Sequence, residues 1–180
     1  MGPSSPRLRP AASTLVRAAG RSASAANEYE LKAAFLYHIA RYTKWPDDAF
    51  ESKKSPLVVA VVGRDPFGRT LDEVLRGRTV RGRRVVVRRF ETAKDIKTAH
   101  VLVLGAMGGE ERKRCLEAVA GRSVLTVADK GGVEASRAVL GFYLDKNRIR
   151  FEIAPSRVKT ARLKMSSQLL RVAKIVRVDR

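Results

Sequence analysis

A nucleophile and a base are the first things to look for, and this 180-residue chain offers one cysteine, Cys115, and two histidines, His38 and His100. A Cys–His pair works only where the imidazole can take the thiol proton, and no signature of a cysteine enzyme surrounds Cys115. Cys115 stands beside Leu116 and four residues before Val119. That is the spacing of a buried helical position, where a thiol behaves as a small apolar side chain. His38 borders an apolar helical stripe, and His100 directly precedes an apolar run. No spaced set of histidines and carboxylates offers the ligands that zinc or iron needs. One cysteine also excludes an internal disulfide. These residues point away from catalysis and imply no cofactor.

Two glycine-containing loops could meet a ligand. Gly105-Ala106-Met107-Gly108-Gly109 follows a strand-like run and opens a helix, the place where phosphates bind. It matches neither the dinucleotide fingerprint nor the P-loop. Glu110 and Glu111 occupy the first helical turn, where they favour the helix dipole and repel an anion, so the loop reads as a turn. Gly63-Arg64-Asp65-Pro66-Phe67-Gly68 follows another apolar run, at the strand ends where open α/β sheets hold ligands. Arg64 is a ligand candidate there. The competing reading makes Asp65 a helix N-cap, Pro66 the first helical residue and Phe67 a core plug.

Charge is the other chemical signal. The formal net charge is +19, and the first 26 residues hold four arginines and no acid, which leaves +15 on the rest. A field of that size attracts nucleic acid, anionic lipid or acidic protein surfaces. Arg76, Arg78, Arg81, Arg83, Arg84, Arg88 and Arg89 crowd one short stretch and form a candidate basic face for a partner. Residues 146–180 carry eleven basic residues against two acids. The aromatic interleaving that stacks bases is missing from both segments, and no nucleic-acid-binding motif is present. No apolar run approaches the roughly 20 residues of a membrane span.

These residues must be positioned by the elements around them. Residues 1–26 read as a leader: Arg7 and Arg9 precede a mildly apolar stretch, and Ala23-Ser24-Ala25 is a small-x-small cleavage pattern. A weak signal peptide, one truncated by a misplaced start codon, and a disordered basic tail all fit. Residues 27–180 read as one α/β domain. Leu31, Phe35, Ile39 and Tyr42 predict an amphipathic helix over 27–43, ended by Trp45-Pro46. Leu57–Val62, Val85–Val87, Val101–Leu104 and Val124–Val127 predict four strands joined by crossovers, hence a mostly parallel central sheet. Helices are expected from Pro66 to Leu75 and from Gly109 to Ala120. Val139–Leu144 and Ile149–Ile153 flank a turn tetrapeptide and predict an antiparallel hairpin extending that sheet. Val158, Ala161, Met165, Leu169, Val172 and Val176 predict one long helix over 155–176. The expected architecture has three layers, with helices on both faces of the sheet.

Several segments, taken in order, resemble the YfiR family. They are Glu30–Tyr37 with Trp45-Pro46, then Val62–Gly68 with Gly63, Asp65, Pro66, Phe67 and Gly68, then Gly77-Arg78-Thr79-Val80 and Val124–Val127. The most specific close the chain: Gly141-Phe142, Arg148–Ile153 with Phe151 and Glu152, and Leu163–Leu170 with Ser166, Ser167 and Leu169. The resemblance covers about residues 28–177. It implies an exported α/β protein of the periplasm, without catalysis. Such a protein binds the extracytoplasmic sensory domain of a membrane diguanylate cyclase and represses cyclic di-GMP output, hence biofilm. Homodimerisation is a further expectation. The chain departs from some relatives in having no second cysteine for a disulfide. Ala154-Pro155 stands where an Asn often caps the last helix, so Ser156 is expected to serve those amides. Two other readings stand beside this one: a cytoplasmic basic protein that binds nucleic acid, and a small-molecule sensor with its site at the strand ends.

Overall fold

Leu57–Val62 is buried at all six positions, as a strand covered on both faces must be. It is an interior strand of the main sheet in the computed structural model, which describes residues 12–178, with side chains from residue 24. The elements run α1 (Ala12–Arg41), β1 (Thr43–Lys44), β2 (Leu57–Val62), α2 (Arg69–Leu75), β3 (Thr79–Val80) and β4 (Arg83–Phe90). Then come β5 (Val101–Leu104), α3 (Gly109–Ala118), β6 (Leu125–Ala128), α4 (Gly132–Ser136), β7 (Leu140–Asp145) and β8 (Arg148–Ile153). The chain closes with α5 (Pro155–Thr160), β9 (Lys164–Met165), α6 (Ser167–Val172) and β10 (Lys174–Ile175).

The main sheet has the order β10-β8-β7-β6-β5-β2-β4-β3. Strands β4, β2, β5, β6 and β7 are mutually parallel, and β8 returns antiparallel to β7. The expected four-stranded parallel core and its hairpin are present, with the first hairpin strand itself parallel to β6. Short edge strands β3 and β10 are added. The chain winds from β2 outwards to β4, then crosses back to β5 and continues the other way. The switch point lies between β2 and β5.

Pleating sorts the core onto two faces. Leu57, Val59, Val61, Val101, Val103, Leu125 and Val127 pack against α1, α2 and the C-terminal segments. Ala60, Val62, Leu102, Leu104 and Ala128 pack on the other side with Cys115 and Val119 of the α3 region. No helix among the described residues is long and apolar enough to cross a membrane.

Five expectations need correction. Helix α1 starts at Ala12 rather than near residue 27, so Ala23-Ser24-Ala25 lies within a helix, while Arg7 and Arg9 lie outside the described residues. Its buried face is also turned: Leu31 and Tyr42 are exposed, and Lys32, Ala33, Leu36, Ile39 and Ala40 face inward. The apolar count missed this because a lysine occupies an inward position.

The second helix starts at Arg69, with Gly68 as its N-cap, so Asp65 is not the cap and Pro66 is not its first residue. Asp65 instead accepts the Phe67 N–H at 2.8 Å in a tight turn ahead of the helix. Ser156 does not cap α5 either. Ala154 is the N-cap and no side chain serves it.

The long helix expected over 155–176 is two helical segments separated by β9 and followed by β10. Arg162 adopts a left-handed conformation at φ +53°. Arg162 N–H donates to Lys159 and Leu163 N–H to Val158, the paired bonds of a Schellman stop. A non-glycine residue in that region costs about 1–2 kcal/mol. Burial of Leu163 returns about 1.5–3 kcal/mol, and β9 gains pairing with β1 through Met165 opposite Thr43. The local helical period therefore loses to tertiary contacts. Val172, which one continuous helix would bury, is 66% exposed.

Candidate functional site

The loops after β2 and β5 meet over the switch point. Arg64 and Ala106 exchange backbone bonds of 3.3 and 3.2 Å, and Gly105 N–H donates to Val62 at 2.9 Å. A Cβ at Gly105 would press into the Arg64 carbonyl, so only glycine allows the two loops to close. Beside this junction lies a cleft of about 460 Å³. Its apolar wall includes Leu104, Met107 and Ala128, and its charged rim includes Arg64, Arg112 and Lys130. Open α/β sheets bind ligands at this position, and the volume suits a small metabolite.

One end of the cleft is a buried polar network whose members lie far apart in the sequence. Lys32 Nζ lies 2.8 Å from Asp129 Oδ1, 3.2 Å from the Asp129 carbonyl and 2.7 Å from Glu28 Oε1. Tyr29 donates its hydroxyl to Asp129 Oδ2 at 3.1 Å and sets its ring edge-on to Phe67 at 5.2 Å. Burial, and then the Asp129 charge, raises the Tyr29 phenol above its ordinary value, so it stays a neutral donor. The lone sequence hint was a lysine inside a helical stripe. Its partner lies 97 residues away, beyond any local pattern.

At the other end Asp65 is held by Arg89, whose Nε lies 2.8 Å from Asp65 Oδ2. The same guanidinium reaches Asp72 at 2.6 and 3.3 Å and the Gly68 carbonyl at 2.7 Å. Its hydrogen bond lowers the Asp72 pKa, and Asp72 and Asp65 in turn raise that of Arg89.

The motif residues around Glu152 form a third unit. Glu152 accepts the Val133 N–H at 2.6 Å on one oxygen and pairs with Lys174 at 3.4 Å on the other. Gly141 lies directly under the Gly132 backbone, where a Cβ would meet it at 2.7 Å. Phe142 and Phe151 pack with Phe35 in the core beneath. Ser166 caps α6 by accepting the Leu169 N–H at 3.2 Å, Ser167 opens that helix exposed, and Leu169 is buried. Trp45 is buried and donates to the His100 carbonyl at 3.2 Å, with Pro46 starting the turn that follows. Gly77 lies in the turn between α2 and β3.

The seven arginines expected to share a face are distributed. Arg83 stacks on Phe50 at 3.7 Å and donates to the Ser52, Lys53 and Ser55 carbonyls. Arg89 is the clamp just described, Arg81 reaches the Thr43 carbonyl, and Arg78 stands over Tyr37. Arg84 and Arg88 alternate to the opposite face of β4 and are exposed, as is Arg76.

The candidates for catalysis lie apart from the cleft wall. The Cys115 thiol is fully buried among aliphatic residues, and burial pushes its pKa up, away from a reactive thiolate. His100 is buried, with Nδ1 accepting the Val58 N–H and Nε2 facing the Ala49 carbonyl, each at 3.0 Å. His38 is exposed on α1.

Fold and cleft define the class: a doubly wound α/β domain with a ligand-sized crevice at its switch point and its lone thiol sealed in the core. The chain belongs to the YfiR/HmsC-like family, whose model matches residues 29–174. The match takes in α1 from Tyr29, the cleft loops and the closing Glu152 and Ser166 units. No curated protein matches the chain.

Proposed function

We propose that this chain is an exported, non-enzymatic regulator in the periplasm that binds the extracytoplasmic sensory domain of a membrane diguanylate cyclase and represses cyclic di-GMP signalling. Membership of the YfiR/HmsC-like family over residues 29–174 carries the reading. The surface chemistry supports it. A domain near +15 suits an acidic partner, and the exposed Leu31 and Leu144, which line one groove with Phe35 and Ile149, offer the apolar centre that a specific interface buries.

The test is competition at physiological salt. The purified sensory domain of a cyclase encoded beside this chain should bind it at about 0.15 M salt, where exposed charges are screened beyond roughly 8 Å. Excess duplex DNA should not displace it. Charge reversal at Arg84 and Arg88 should slow association by one or two decades if that face is used. Strong DNA binding with no cyclase binding replaces the regulator reading with the nucleic-acid one. Recovery of the mature chain from the periplasm, beginning near Ala26 or Asn27, is the expected outcome for export.

A further inference from the structure

We propose that the cleft at the C-terminal ends of β2, β5 and β6 binds a small organic dianion, a phosphomonoester or a dicarboxylate. The proposal needs only the isolated chain, so its failure leaves the regulator reading untouched.

The unpaired cations of the cleft carry it. Two acids stand in the wall, and both are already committed: Asp65 to Arg89 and the Phe67 amide, Asp129 to Lys32 and Tyr29. Three cations also stand there, Arg64, Arg112 and Lys130, and none has an ion-pair partner among the described residues. Arg112 is half-buried, so its charge meets less solvent screening than a surface arginine does. Lys32 and Arg89 hold the two wall acids from behind while each also serves a second acid, Glu28 and Asp72, so the three unpaired cations are the groups left for a ligand, and one with two negative charges can engage more than one of them. Two guanidinium forks also suit the paired oxygens of phosphate or carboxylate.

Glu110 and Glu111, which argued against an anion in the sequence, do not line this cleft. Glu111 is turned away to accept the Ala93 N–H at 2.9 Å and to meet Arg114 at 3.4 Å. Leu104, Met107 and Ala128 supply apolar surface for the carbon skeleton, so the ligand is an organic anion rather than a bare ion. The location is the one where a doubly wound sheet gathers loops from both halves.

Titration calorimetry on the full chain at about 0.15 M salt tests this, with glycerol 3-phosphate and succinate as dianions, acetate as a monoanion and glycerol as a neutral control. One dianion should bind at one site per chain, at least tenfold tighter than acetate, and glycerol should not bind. The better of the two identifies the source. Arg112→Ala should weaken that binding at least tenfold. Lys130→Ala, at an exposed position, should weaken it several-fold and covers the case in which Arg112→Ala fails to fold. Lys54→Ala, exposed in the loop that enters β2 at the end opposite the cleft, should leave it unchanged. Absence of binding by either dianion at millimolar concentration overturns the proposal. So does an equal loss from Lys54→Ala and the cleft variants, because binding is then a diffuse effect of net charge.

Discussion

The ammonium of Lys32, on the first helix, lies 2.8 Å from the carboxylate of Asp129 at the end of β6, with the lysine side chain only 3% exposed. A buried pair of this kind is balanced only while both members are present. Lys32→Met should therefore destabilise the chain by about 3–5 kcal/mol, since it leaves Asp129 charged in a site built for a cation. The double variant Lys32→Met with Asp129→Leu should recover a large part of that loss. Urea unfolding of the three proteins measures both effects, and additive losses would show that the pair is not coupled.

His100 should give the chain a stability step near neutral pH. Burial comes first in lowering its pKa, helped by the positive charges of Arg83 and Arg122 and opposed by the bond to Ala49. The unfolded imidazole keeps its usual value near 6.5. The unfolded chain therefore binds more protons than the folded one as pH falls through about 6.5, and stability drops there. Above that pH the contribution is fully present. Asp72, whose pKa is lowered from 3.8, adds a separate loss only in the range below that value. Melting temperatures from pH 8 to pH 5 should fall for the natural chain and stay flatter for His100→Asn. An identical slope in both proteins removes His100 as the cause.

The broken C-terminal helix separates two neighbouring residues that one continuous helix would treat alike. Leu169→Ala should cost about 2–5 kcal/mol because the side chain is 4% exposed in the core. Val172→Ala, 66% exposed, should stay within about 0.5 kcal/mol. Ser166→Ala removes the α6 cap and should cost about 1 kcal/mol. Comparable losses at 169 and 172 in chemical denaturation would restore the single helix.

Asp65 should act through a turn and a clamp. Asp65→Ala loses the bond from Phe67 and one partner of Arg89, and should cost about 1–2 kcal/mol. The ion-pair share is small because Arg89 is 40% exposed. Asp65→Asn keeps the turn and should recover roughly half. Unchanged stability in Asp65→Ala, together with lost regulation of a cyclase partner, would move Asp65 from the scaffold to the functional surface.

Much of the architecture was written locally. Leu57–Val62 and Val101–Leu104 are apolar at every position because their strands are covered twice, and the alternation of Ile149, Phe151 and Ile153 marks a hairpin strand. The closing motif around Glu152 and Ser166 was visible as a family resemblance. Its purpose, holding the Gly132 turn and capping α6, was not. Residue types and their spacing determined the parallel core, its hairpin and the position of the loops at the strand ends, because covered strands and tight turns leave a signal within a few residues. Only the tertiary structure decided that Lys32 faces inward to Asp129, that Arg89 neutralises Asp65, and that the final helix stops at Arg162. Each depends on a partner distant along the chain, whose contact outweighs a local preference of a kcal/mol or two.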